Sequence, residues 1–444
     1  MKRKCEVLAV VLAMAGAAVL AAEPQEDFSP KPDERQVARA MHAPMDEAPR
    51  VTVGPADADL VGRDNRALQA AVEYVAALGG GVVEIGAGEY VMHDSLHLRP
   101  NVAVRGVKGK TILRKADGHV SALAIDGDYG EEQITLADPT GFAVSHGVAI
   151  WDSRSGGFHT TVGRITGRRG NTFAVSMPMQ SDYMLANESK AATVFPIVSA
   201  VEVDGVRIEG LTIDGNKERN APLNGCRGAG IYCYRAFGAV IQDCLVRNYN
   251  GDGISFQQSN DVTVADCVSE DNAALGIHPG SGSQRPVVRN CAARRNGTDG
   301  LFLCWRVRHG LFENNLLEEN GQFGISIGHK DSDNLLRRNI VKRNRGNGVF
   351  FRNETIGMAA HRNRLEENVI EDNGAEAPAA GIRIRGETND LLFKDNVIRD
   401  TRPEAARTQT IGVLIEEKAS RIALEGNRIE AKTPVEDRRP RAEP

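Results

Sequence analysis

From Gly230 onward a glycine followed by a branched apolar residue recurs at Gly230, Gly253, Gly276, Gly300, Gly324 and Gly348, at steps of 23, 23, 24, 24 and 24 residues. A second phrase keeps that step: Cys244, Cys267, Cys291, Asn315 and Asn339 each follow a polar or charged residue and precede an apolar one. A unit of this length holds three short strands and three turns, or one strand and a helical return. The residues choose the first. In Gly253-Ile254-Ser255-Phe256-Gln257 and Gly324-Ile325-Ser326-Ile327-Gly328, apolar residues alternate for a few positions and then stop. Between such stretches lie Asp271-Asn272, Arg295-Asn296-Gly297 and Glu319-Asn320-Gly321, rich in residues that tolerate left-handed turn angles. The expected fold is all-β: a right-handed parallel β-helix, a solenoid whose coils stack at about 4.8 Å.

Stacking makes the second phrase an inward column, continued by Asn368, Asn396 and Asn427. Thiols pack in a dry interior, and asparagine amides bond to the coils above and below. The inward cysteines point in parallel directions, a poor disulfide geometry, so free thiols are expected there. Cys226 and Cys233 flank a glycine turn and could pair.

Residues 1–22 read as a secretory signal, with Lys2-Arg3-Lys4, an uncharged run from Val7 to Leu20, and Ala21-Ala22. That run is shorter than the roughly 20 apolar residues that span a bilayer. Export to the periplasm, cell surface or medium is expected, with no membrane span after signal removal. Without these residues, 51 basic residues face 58 acidic ones, a balance that gives no reason to expect a nucleic-acid partner. Residues 23–50 read as a linker or irregular cap and 51–431 as the β-helix domain. Asp64 is an N-cap candidate for a helix through Leu78, with Leu68, Ala71, Val72, Val75 and Leu78 on one face. Between about 116 and 199 the rhythm is lost and a small β-rich insertion is expected. Residues 432–444 read as a disordered tail. Oligomeric state is not legible.

The residue two after each repeat glycine should point outward. This column, Tyr232, Ser255, His278, Phe302, Ser326 and Phe350, is joined by Tyr234, Gln257, Cys304 and Arg352, and at the strand ends by Trp305, Arg306, His329 and Lys330. Aromatic rings, amides, histidines and cations on one face suit a groove for an acidic polysaccharide. The candidate catalytic residues are His278, Arg306, Tyr234 and Lys330. His278 would abstract the proton α to a uronate carboxyl, Arg306, Lys330 or Arg352 would neutralise that carboxylate, and a tyrosine would act on the opposite face. Tyr232, Gln257, Phe302, Trp305, His329 and Arg352 are the candidate binding residues. Asp252 and Asp299 are an alternative acid and base. They lie two coils apart, hence about 9.6 Å between backbones, near the upper end of the roughly 6.5–9.5 Å used by inverting glycosidases. No dense carboxylate cluster falls on the outward columns, so no metal site or other cofactor is expected from the residues.

The N-terminal helix, Gly79-Gly80-Gly81, Gly88-Glu89-Tyr90 and Asn101-Val102-Ala103-Val104-Arg105-Gly106 resemble the cap and first coils of the pectate lyase-like β-helix superfamily. The resemblance implies a helix plugging the open end of the solenoid, and calcium as a cation that could bridge acidic sugar and protein. Gly276-Ile277-His278-Pro279-Gly280 is similar to the mannuronate 5-epimerase motif, with the motif aspartate absent and the histidine before the proline. Asn250-Gly251-Asp252, the stretch Gly324 to Gly328, and Arg383-Ile384-Arg385 resemble polygalacturonase motifs, with Phe323 in place of the histidine and no paired aspartates. These resemblances imply β-elimination or epimerisation of a uronate polysaccharide, with inverting hydrolysis and non-catalytic polysaccharide binding as the alternatives.

Overall fold

Several corners in each middle coil are built by non-glycine residues in the left-handed region, and two of them flank the strand that follows the inward column. One corner is occupied by Asp243, Asp266, Asn290, Asn314 and Arg338 (φ 54°, 56°, 55°, 56° and 53°), each just before a member of the inward column. The other is occupied by Asp271, Arg295, Glu319 and Arg343 (φ 56°, 52°, 57° and 54°). Such angles cost an L-residue roughly 1–2 kcal/mol, so the corners need bonds that offset them.

Two asparagine ladders supply those bonds at many of the corners, and beside Asp243 and Asp266 the thiols of Cys244 and Cys267 donate to backbone carbonyls instead, in this computed structural model, which describes residues 47–440. In the expected ladder, the amide of Asn315 donates to Asn339 Oδ1 (2.9 Å), Asn339 to Asn368 (2.9 Å), Asn368 to Asn396 (2.9 Å) and Asn396 to Asn427 (2.8 Å). Each Oδ1 also accepts the backbone N–H of the preceding rung. A second ladder, not anticipated from the sequence, runs through Asn272, Asn296, Asn320, Asn344 and Asn373 and ends on Gln409.

The strands stack into three parallel sheets of 13, 11 and 11 strands, giving a right-handed parallel β-helix. One continuous core runs up the middle from Val51 to Ala419. The helix α1 (Asn65–Ala77) closes one end, burying Leu68, Ala71, Val72 and Val75 in that core, and the Asp64 side chain caps it by accepting the Arg66 N–H. Leu78 stays outside, 54% exposed as the C-cap residue, because the helix ends before that face returns to the core.

The insertion is a six-stranded antiparallel sheet of segments between Val120 and Ala192, with its own core around Phe142, Phe173 and Tyr183. Two expectations change. Residues 432–444, expected as a disordered tail, include the strand Thr433–Asp437, which pairs in parallel with Ile411–Ile415 and supplies the last rung of one sheet. Cys226 and Cys233 are both free, because Cys233 points into the core while Cys226 sits on a segment over the outer face. The signal region 1–22 and nearly all of the 23–50 linker lie outside the described residues. No helix among the described residues is long and apolar enough to cross a membrane.

Candidate active site

Register along one of the 11-stranded sheets aligns His97, Ser199, Tyr232, Ser255 and His278 on successive coils. Phe302, Ser326, Phe350 and Arg383 continue the column. The outward column is therefore where the 24-residue rhythm puts it. Its middle is covered, however, and that could not be read from alternation.

The cover is segment 224–228. Ser255 Oγ donates to Gly225 O (2.7 Å), and Tyr232 Oη donates to Cys226 O (2.7 Å). A Cβ on Gly225 would stand 1.6 Å from Asp252 Oδ2 and 2.9 Å from His278 Nδ1, so glycine is required for the backbone to pass this close. Asp252 and His278 beneath it are only 2% and 4% exposed.

These two residues form a dyad. His278 Nδ1 lies 2.7 Å from Asp252 Oδ2, while Asp252 Oδ1 accepts the Leu275 N–H (3.1 Å). An ionised carboxylate only accepts, so the imidazole proton sits on Nδ1 and the Nε2 lone pair faces the Gln257 amide at 3.4 Å. Gln257 also donates to Ser255 Oγ (2.9 Å), and its Oε1 is buried without a protein partner. The dyad escaped the sequence reading because its members lie 26 residues apart on neighbouring coils.

Asp299 belongs to the same cluster. Burial pushes its carboxyl up to about 6, opposed by the Phe323 N–H and by Arg352, with Asp252 raising it further and His278 lowering it. The Phe302 ring packs edge-on against His278 (5.3 Å) and carries the Arg352 guanidinium on its face (4.5 Å). Arg352 in turn bonds to Ser326 Oγ (2.8 Å), Leu303 O (2.6 Å) and Asp331 (3.1 Å). Burial raises Asp331 to about 7 even beside that arginine. Asp331 was missed by the sequence reading, since nothing in Lys330-Asp331-Ser332 separates it from a turn aspartate.

The remaining candidates form two flanking groups. Arg306 and Lys330 occupy left-handed turn positions (φ 67° and 68°) beyond the strand ends, and Arg306 stacks on Trp305 (5.8 Å) rather than pairing with His278. Trp305 stacks on His329 (5.1 Å), whose Nε2 meets Glu354 (2.9 Å). Burial, and then the charge of Arg352, hold the His329 imidazole below its ordinary value. On the other side, Tyr234 packs against Phe158 of the insertion (6.5 Å) and Arg235 (5.0 Å). Tyr232 is buried with its hydroxyl committed to Cys226 O, which corrects its expected role as an open groove residue. Gln257 is likewise buried, so neither it nor Tyr232 offers a free binding surface while segment 224–228 is in place. No group of three or more histidine, cysteine, aspartate or glutamate side chains among the described residues is arranged to hold a metal ion.

The family model for a right handed beta helix region matches residues 198–356. No curated protein matches the sequence. Among solved structures, the chain is similar to a polygalacturonase from Erwinia carotovora ssp. carotovora, with a TM-score of 0.56 and 13% identity, covering 91% of this chain and 100% of that one. It is also similar to the A-module of the Azotobacter vinelandii mannuronan C-5 epimerase AlgE4 (TM-score 0.52, 16% identity, 88% and 99% covered) and to that of AlgE6 (0.51, 17%, 86% and 93%). Fold, match and column define the class as a right-handed parallel β-helix protein. Within it, the likeness to epimerase and polygalacturonase structures is one of fold.

Proposed function

We propose that this chain is an exported carbohydrate-active enzyme that acts on an acidic, uronate-containing polysaccharide by β-elimination or epimerisation. The observation that carries the reading is the Asp252–His278 dyad beside an Asp299 carboxyl poised at about 6. A base oriented by a carboxylate and a neighbouring carboxyl raised toward neutrality are what proton abstraction and return at a carbon require. Arg352 is the cation of this cluster, and Trp305, Arg306, Lys330 and His329 extend the face along which a charged sugar chain would lie. The similar folds include two mannuronan epimerase modules and a polygalacturonase, which supports a polysaccharide as the substrate. Substrate reaches the dyad when segment 224–228 lifts, which breaks the Ser255–Gly225 and Tyr232–Cys226 hydrogen bonds and the anchoring of Arg227 on Phe158 O and Gln180.

Hydrolysis is the second reading, favoured by one observation: Asp299 and Asp252 share the face and sense each other's charge, with Asp299 as acid. The test is incubation with alginate, polygalacturonate and glycosaminoglycan chains. A rise in absorbance near 235 nm reports elimination, deuterium uptake at C5 without chain cleavage reports epimerisation, and new reducing ends without that absorbance report hydrolysis. His278→Gln should lower turnover at least 100-fold. Binding without any of these reactions would leave the groove a non-catalytic polysaccharide site and overturn the proposal.

A further inference from the structure

Away from the dyad, a cavity of about 370 Å³ lies where the insertion meets the first coils. Phe195, Pro196, Val162, Met177 and the rings of Tyr232 and Tyr234 give it largely apolar walls, and one end is polar. At that end three residues form a continuous hydrogen-bonded chain. Ser199 Oγ lies 3.0 Å from His97 Nδ1, and His97 Nε2 lies 3.1 Å from Asp94 Oδ2.

Proton positions follow from the donor inventory. An ionised Asp94 can only accept, so the imidazole proton is on Nε2, the Nδ1 lone pair is free, and Ser199 donates its hydroxyl proton to it. This is the nucleophile, base and orienting carboxylate arrangement, recognised by roles rather than by chain order. The parts are held firmly. His97 and Ser199 are register partners on adjacent parallel strands. Gln69 of α1 clamps the His97 backbone from both sides, donating to its carbonyl (2.9 Å) and accepting its N–H (2.8 Å). Asp94, 2% exposed, is bonded by Arg164 of the insertion. The His97 side chain is 30% exposed toward the cavity it lines.

We propose that this cavity is a second active site, a serine esterase that cleaves short acyl esters of hydroxylated compounds. Ser199 Oγ forms a bond to the acyl carbon as its proton passes to His97 Nδ1. The bond from the acyl carbon to the alcohol oxygen then breaks, and that oxygen leaves with the proton. Water attacks the acyl-serine by the same relay, giving the free acid and restoring Ser199, so ester plus water becomes acid plus alcohol. Arg227, which lines the cavity with its Nε and Nη2 anchored on Phe158 O, supplies positive charge for the oxyanion. The apolar walls fit a small acyl chain. This inference is independent of the reaction at the dyad.

The test uses the mature chain with p-nitrophenyl acetate and butyrate, and a fluorophosphonate followed by peptide mass analysis. Ester turnover, a phosphonyl adduct on Ser199, and a loss of at least 100-fold in kcat/KM in Ser199→Ala and His97→Ala are expected. Asp94 is a positioning residue, so Asp94→Asn should lower kcat with KM nearly unchanged, as expected when the imidazole tautomer is wrong. Equal ester turnover in Ser199→Ala, or a folded wild-type protein that forms no adduct at Ser199, overturns the proposal whatever the stability of the variants.

Discussion

Asn320 stands in the middle of the unanticipated ladder, fully buried, and its truncation tests what holds the left-handed corners. Its Oδ1 accepts the backbone N–H (3.2 Å) and amide (3.0 Å) of Asn296, and its own amide donates to Ala293 O (3.0 Å) and Asn344 Oδ1 (2.9 Å). Asn320→Ala removes all four bonds and leaves two Asn296 donors without this acceptor where water does not reach. At about 1–3 kcal/mol for each buried group left short of a partner, the loss should be on the order of 3–4 kcal/mol. Asn427 is the control. It terminates the other ladder, accepts from the Asn396 N–H and amide (2.9 and 2.8 Å), and is partly open to solvent. Water replaces the lost partner there, so Asn427→Ala should cost about 1 kcal/mol. Urea unfolding followed by far-ultraviolet circular dichroism measures both, with slopes compared to check that the transition is unchanged. Equal losses in the two variants would refute the claim that buried ladder bonds, rather than asparagine turn propensity, stabilise the coils.

Three further outcomes are expected. Asp299 has a folded-state value raised to about 6, so between about pH 4 and 6 the unfolded chain gives up a proton that the folded chain keeps. Wild-type stability should therefore fall relative to Asp299→Asn as pH rises through that window, by up to about 3 kcal/mol, in denaturant titrations at each pH; a parallel profile would contradict the assignment. Lys115 is lowered to about 7 by burial, donates to Thr193 O (2.7 Å), and lies over the Phe195 ring (4.2 Å). Here the unfolded chain holds the extra proton between about pH 7 and 10, so the wild type should gain stability over Lys115→Met as pH rises there, by a few kcal/mol at most; a constant difference would contradict the burial argument. Gly225→Ala should displace segment 224–228, detected as faster thiol labelling of Cys226, because its Cβ has no room beside Asp252; unchanged labelling would contradict that contact.

Much of the fold was legible because a solenoid writes its geometry as a period. Alternation assigned the inward and outward columns, and asparagines at a constant step announced one ladder. The second ladder was less visible, since Asn272, Asn296 and Asn320 sit among turn residues whose usual role is local. The site was legible as a face and not as a constellation. Trp305, Arg306 and Lys330 looked central by residue type, yet left-handed turns carry them to the rim. Asp252 and His278 looked unconnected, yet the coil step brings their side chains within 2.7 Å.

The sequence by itself determined the stacking direction, the face available for chemistry and the helix that closes one end, because repeat period, alternation and capping act over short distances along the chain. Only the tertiary structure decided which outward residues are covered, which carboxyls burial pushes up, and that Asp94, His97 and Ser199 meet. Those outcomes depend on loops and an insertion folding back over the solenoid from other coils, and burial and hydrogen bonding between distant segments have no period to read.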